Sequence, residues 1–231
     1  MFYGGNPIFF TSMLLLIPGV LLSLYAQLKV KSTYKEYSQK QAASGVTGAQ
    51  ASRRLLDQAG LTEVGIEEIP GNLTDHYDPR ERVMRLSQGV ARGTSLAALG
   101  VAAHETGHAI QDAKGYVPMK IRAAVVPAAS FGSSLGPMIF LMGLFFSAAR
   151  PLMTIGIILF TAAVIFQIVT LPVEFDASSR AMTLLQSNGL VIASEAKGAR
   201  KVLTAAALTY VAATLMAILS LVRMVLISRN S

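Results

Sequence analysis

"LMTIGIILFTAAVIFQIVTLPVEFDASSRA", residues 152–181, changes character two thirds of the way along. Up to Leu171 it carries no charge. That run reaches the roughly 20 residues a helix needs to cross a bilayer core of ~30 Å, so it sets the fold class: a membrane protein built mainly of helices. From Pro172 onward the chain turns polar, with Glu174, Asp176 and Arg180 in close succession. Ionisable groups beside a membrane exit are costly and need a chemical reason. Pro172 suits the first turn of a helix, which predicts that a new helix begins there and carries the acids.

Three more stretches have the same property: 8–28, a run within 123–149, and 202–222. The second opens with small residues and proline, so its bilayer entry is expected nearer Gly132. Pro18 and Pro137 predict kinks, tolerated where neighbours satisfy the freed backbone. Charged residues are only 14% of the chain and hydrophobic residues 52%, with a mean hydropathy of +0.50. Soluble domains carry about 25% charge, so the deficit agrees with about four spans. The absence of cysteine excludes disulfides, thiolate metal sites, cysteine nucleophiles and lipidation on sulfur.

The net charge of +7 is read as membrane topology, with the lipid bilayer as partner and no nucleic acid. Thirteen Lys and Arg lie in 29–122 and four in 172–201, against one, Arg150, between the second and third spans. The two loops that share a side thus hold seventeen of the twenty basic residues, and the positive-inside rule puts that side in the cytoplasm of a multi-pass plasma-membrane protein. The first span lacks a basic residue before it and a small-residue cleavage site after it, so it reads as an uncleaved anchor with its N-terminus outside.

Between spans one and two the chain becomes polar. Residues 29–43 are expected to prolong the first helix. A separate helix follows, with Thr47 as N-cap, good helix formers over 49–59 and Gly60 as its left-handed stop. "EVGIEEIPGN", 63–72, reads as a strand closed by a Pro-Gly turn. "LTDHYDPRERVMRLS", 73–87, reads as a hairpin: Leu73 to His76, a turn at Asp78-Pro79, then Arg82 to Leu86. A further helix starts at Thr94 or Ser95 and carries "VAAHETGHAIQ", 101–111. Apart from that motif it is apolar all round, which predicts burial.

Positions four apart stack on one helix face. His104 and His108 can therefore aim imidazole nitrogens at one metal ion, and zinc accepts such ligands. Glu105, one residue off that face, can take the proton of a metal-activated water and return it to a leaving amine. Two of the chain's three histidines lie in this H-E-x-x-H pattern. An ordinary buried helix would gain nothing from two imidazoles and a carboxylate, since unpaired polar groups are costly there. A catalytic zinc takes three protein ligands. Position 114 is lysine, so the third-histidine extension is absent. The remaining candidates are His76, Glu174, Asp176 and Glu195. Glu174 is the expected ligand, with Asp176 either ligating instead or supporting a histidine N–H.

"DHYDP", "RLS", "VAAHETGHAIQD" and "LPVEFDASSRA" together resemble the YugP-like family of neutral zinc metallopeptidases, over nearly the whole chain. That family is similar to the HtpX and CAAX-prenyl-protease group of membrane gluzincins. The resemblance implies a small α+β zincin-like cytosolic region with the HExxH helix and a short antiparallel sheet. It implies one Zn2+ per chain on His104, His108 and Glu174, with Glu105 as general base. It also gives the hairpin a use: Val83, Met84, Arg85, Leu86 and Ser87 would form an edge strand pairing with an extended protein or peptide substrate. The larger group has an aspartate four residues beyond its ligand, where this chain has Ser178; here the aspartate, Asp176, is two beyond. Oxyanion support would come from Arg180 or from His76 and Tyr77.

The expected organisation is then 1–43, anchor and helical extension; 44–122, catalytic region; 123–171, transmembrane hairpin; 172–201, ligand helix; and 202–231, last span and tail. The expected activity is an integral-membrane zinc metalloendopeptidase; a homo-oligomer is compatible with it. A non-catalytic membrane scaffold or adaptor stabilised by zinc is the alternative, marked by a fourth protein ligand such as His76. A site-2-type intramembrane protease would use an Asp-Gly pair, which the sequence lacks.

Overall fold

The structure, a computed structural model, describes residues 11–230; residues 8–10 of the first expected span lie outside them. Seven α-helices and three strands follow in order: α1 (Ile17–Ser38), α2 (Gly48–Gln58), β1 (Gly65–Ile69), β2 (His76–Asp78), β3 (Val83–Ser87), α3 (Gln88–Ala91), α4 (Leu96–Ala113), α5 (Val117–Phe145), α6 (Pro151–Ser187) and α7 (Ala193–Arg229). Among the described residues four helices are long and apolar enough to cross a membrane: Leu14–Ser38, Val117–Phe145, Pro151–Ser187 and Ala193–Arg229.

The chain divides into two compact units. One holds the described residues up to Ala26, then Ile121–Leu171 and everything from Thr209. Its core gathers Phe140, Leu144, Met153, Met224 and Ile227. Within it α5 and α6 meet across glycines: a Cβ on Gly156 would lie 2.7 Å from the backbone nitrogen of Phe140. Large apolar side chains such as Phe131, Met138, Ile158 and Ile165 stay exposed, as expected of surface meant for lipid rather than water.

The other unit comprises Gln27–Lys120 and Pro172–Leu208. Here α2 begins as expected. Thr47 Oγ1 accepts from the Gln50 N–H at 3.3 Å, and Gln50 Oε1 accepts from the Thr47 N–H at 3.1 Å, a reciprocal capping box. Gly60, at φ +75°, follows the helix end. Ser95 caps α4 by accepting from the Ala98 N–H at 3.2 Å. One core cluster joins Leu55, Leu99, Leu185, Leu190 and Leu203. A second joins Leu56, Met84, Leu86, Val90 and Ala102 beside the sheet.

Several expectations need correction. The sheet is mixed, not antiparallel: its order is β1-β3-β2, with β1 parallel and β2 antiparallel to β3. The connection 70–82 has the dozen or so residues that a parallel pair requires, and β2 forms inside it. Val83 to Ser87 are therefore the central strand rather than an edge. The physical reason is burial. Met84 and Leu86 are fully enclosed, whereas β1 exposes Glu67 and Glu68 and β2 is only three residues long, as edges tend to be. The first hairpin strand lies at His76–Asp78, later than the expected 73–76. Asp78 Oδ1 accepts from the Arg80 N–H at 2.8 Å and organises the turn. No helix starts at Pro172: α6 runs unbroken through it. Proline signals a boundary because it lacks an N–H and crowds the preceding turn, yet those signals also fit a helix that continues. Likewise α5 carries both Pro127 and Pro137, and α7 begins at Ala193, ahead of the apolar run.

Candidate metal centre

The floor of the candidate site is set by how closely α4 approaches α6. A Cβ on Gly107 would sit 2.7 Å from the Ala177 carbonyl oxygen and 3.2 Å from its Cα. Only glycine allows the backbones to come so near. Ala102, Ala103 and Ala109 keep the rest of α4 slender and buried. Glu174 lies about one helical turn before Ala177 on α6, so this contact brings its carboxylate to His104 and His108.

His104 Nε2 lies 3.1 Å from Glu174 Oε2, and His108 Nε2 lies 3.6 Å from the same oxygen. The two imidazoles meet edge to face at 4.7 Å between centroids. One donor atom from each of His104, His108 and Glu174 can be chosen so that all lie within 4.8 Å of one another. Zn–N and Zn–O bonds of about 2.0–2.2 Å in a tetrahedron put neighbouring ligand atoms roughly 3.3 Å apart, so the arrangement fits a zinc-sized ion. Glu174 is almost fully buried, its side chain 2% exposed. A buried carboxylate needs compensation, and here it has two imidazoles.

Both histidines turn Nε2 inward and offer Nδ1 to a polar neighbour. His104 Nδ1 meets the Ser178 hydroxyl at 3.2 Å. His108 Nδ1 meets Gln111 Oε1 at 2.9 Å. Burial works against a charge on His108. The Glu174 carboxylate, then Glu105, then the Gln111 oxygen outweigh it, so its pKa is raised above the ordinary 6.5. Glu105 is buried on the same helix, near enough for its charge to act on His108.

The other candidates fall elsewhere. Asp176 accepts from Gln111 Nε2 at 2.8 Å and from Arg180 Nε at 2.5 Å; it supports Gln111 rather than a histidine. Arg180 also lies over the Tyr116 ring at 6.0 Å. His76 is exposed, its Nδ1 2.8 Å from the Thr74 carbonyl in the turn. Tyr77 donates to Asp112 Oδ2 at 3.0 Å, and burial and then that carboxylate push the phenol above its usual range. Glu195 accepts from the N–H groups of Ala43 and Ile192 at 2.7 and 3.0 Å, which leaves it a capping role. Of the strand residues, Ser87 is held by Asp75, and Arg85 bridges Glu67, Asp78 and Glu81. Gln111 escaped the sequence reading, its only signal being helical spacing, three residues after His108. Ser178 stands where the larger group resembled by this chain has its aspartate, and that position, four residues after Glu174, is the one that meets His104.

A cavity of about 730 Å³ also opens between α4 and α6, lined by Leu61, Ile110 and Leu184 with Lys114 and Arg180.

The histidine pair and the buried carboxylate are donors of the kind zinc accepts, and the comparisons with known proteins point to the same metal. The chain belongs to the family described as "Putative neutral zinc metallopeptidase", which it matches over residues 12–229. It is 48% identical, over 216 residues, to "Putative membrane protease YugP" of Bacillus subtilis (strain 168), covering 94% of this chain and 96% of that relative. No solved structure matches it. Family membership implies zinc as the metal, and the relative's name together with the four apolar helices suggests a membrane protein.

Proposed function

We propose that the chain is an integral-membrane zinc metalloendopeptidase of the gluzincin type, acting on protein or peptide substrates, with one zinc held by His104, His108 and Glu174. The observation that carries this reading is the convergence of those three donor groups, from two helices, with Glu105 beside them. Zinc supplies Lewis-acid activation of water and of the scissile carbonyl. The chain's own groups do the rest. Glu105 takes the water's proton as general base and delivers it to the departing amine as general acid. Extended substrate finds its backbone partner on β2, one of the two edge strands of the sheet and the one tied to the motif helix α4 by Tyr77 and Asp112.

The test is zinc content and proteolysis, measured together for the wild type and for Glu105→Gln. The variant should keep its zinc and lose activity by about 10²-fold or more. Unchanged turnover would remove Glu105 from the chemistry. A metal carrying four protein ligands would favour the zinc-stabilised scaffold or adaptor instead.

A further inference from the structure

We infer that Gln111 is a positioning residue for the zinc site: its amide fixes the tautomer of His108. This rests on the reading of His108 as a zinc ligand. Gln111 is fully buried, and every polar atom of its side chain is engaged. Nε2 donates to the Val173 carbonyl at 2.8 Å and to Asp176 Oδ2 at 2.8 Å. Oε1 faces His108 Nδ1 at 2.9 Å.

An amide can be turned end for end, so its direction must come from its partners. Here the partners allow one direction only. Val173 O and an ionised Asp176 oxygen are both acceptors. Reversal would set Oε1 against two acceptors in a buried place and exchange two donated bonds for a single one, from Nε2 to a bare His108 Nδ1. The oxygen therefore points at His108, and an oxygen can only accept. The imidazole proton then sits on Nδ1, and Nε2 presents its lone pair toward Glu174, where a cation binds. Asp176 is itself held by Arg180 Nε at 2.5 Å, so the acceptor pair that orients Gln111 is fixed in turn.

His104 lacks this constraint. Its Nδ1 partner is the Ser178 hydroxyl, a rotor that donates or accepts with equal ease. The two imidazoles are thus supported unequally: His108 is locked and His104 adjustable. Zinc-ligating histidines commonly donate to a carboxylate, which raises their basicity. In this chain the neighbour is a neutral amide and the negative charge lies one bond further out, on Asp176.

The experiment uses the full chain in detergent and reads zinc affinity by competition with a chelator, together with the Nδ1–H proton resonances of the zinc-loaded protein. Gln111→Leu should weaken zinc binding by about 10–100-fold and remove one slowly exchanging Nδ1–H signal. Gln111→Glu sets a carboxylate against Asp176 and the Val173 carbonyl and should weaken binding also. Adding Asp176→Asn to Gln111→Glu returns a donor to that contact and should recover most of the loss. Leucine at 111 with zinc affinity within about twofold of wild type and the Nδ1–H signals intact would overturn the inference. If that variant fails to accumulate, the second pair decides: no recovery in the double variant counts against it. A wild type that binds no zinc would instead sink the peptidase reading itself, so the two failures are separable.

Discussion

His108 carries a pH signature that heat can read. Its pKa is raised above 6.5 by the carboxylates around it, against burial. A raised folded-state value means that the charged imidazole stabilises the metal-free protein below about pH 6.5 and that this contribution is lost as pH climbs through the raised value. Zinc needs the neutral ring, so protons and metal compete for the same atom. The metal-free melting temperature should fall as pH rises above about 6.5 while the increment from added zinc grows. Thermal melts with and without zinc check this, and a zinc increment independent of pH would contradict it. At this scale the sequence was informative where the chemistry is local. His104, Glu105 and His108 share one turn and a half of helix, so spacing alone displayed them. Gln111 was invisible because its meaning comes from Val173 and Asp176, more than sixty residues later.

Between elements, the contact of α4 with α6 matters most. Gly107→Ala would place a methyl group 2.7 Å from the Ala177 carbonyl oxygen, and backbone cannot swing aside as a flexible side chain can. The helices must part, and Glu174 moves away from the imidazoles with them. The expected outcome is a loss of about 1–3 kcal/mol of stability, as for overpacked cores, with zinc affinity down by tenfold or more. Chelator competition and thermal melts measure both, and unchanged affinity would show that the helices yield elsewhere. The caps at Thr47 and Ser95, the stop at Gly60 and β1 were legible because each depends on a few neighbouring residues. The sheet order was not. Which strand lies in the middle depends on how Met84 and Leu86 pack against α2, α3 and α4, and a hairpin reading cannot see that. Pro172 misled for a similar reason: whether a helix survives a proline is decided by what surrounds it.

For the whole molecule, four apolar helices and the excess of basic residues in two loops bear on topology together. Length and hydropathy are local quantities, so the spans could be read directly, although their helices run beyond the apolar runs. Orientation is testable because the chain has no cysteine of its own. Single substitutions Thr62→Cys and Ala148→Cys, both at exposed positions, can be treated with a membrane-impermeant maleimide. Position 148 should react in intact cells, and position 62 only after permeabilisation. The reverse pattern would put His104 and its neighbours outside the cell.

His104 and Glu174 meet although 70 residues separate them in the chain. During synthesis the two imidazoles emerge first, and the carboxylate follows only after the intervening apolar stretches have left the ribosome. A nascent or truncated polypeptide would thus hold an incomplete chelate and little hydrolytic power. On the proposed reading, the full ligand set would therefore come together only after most of the chain has been made.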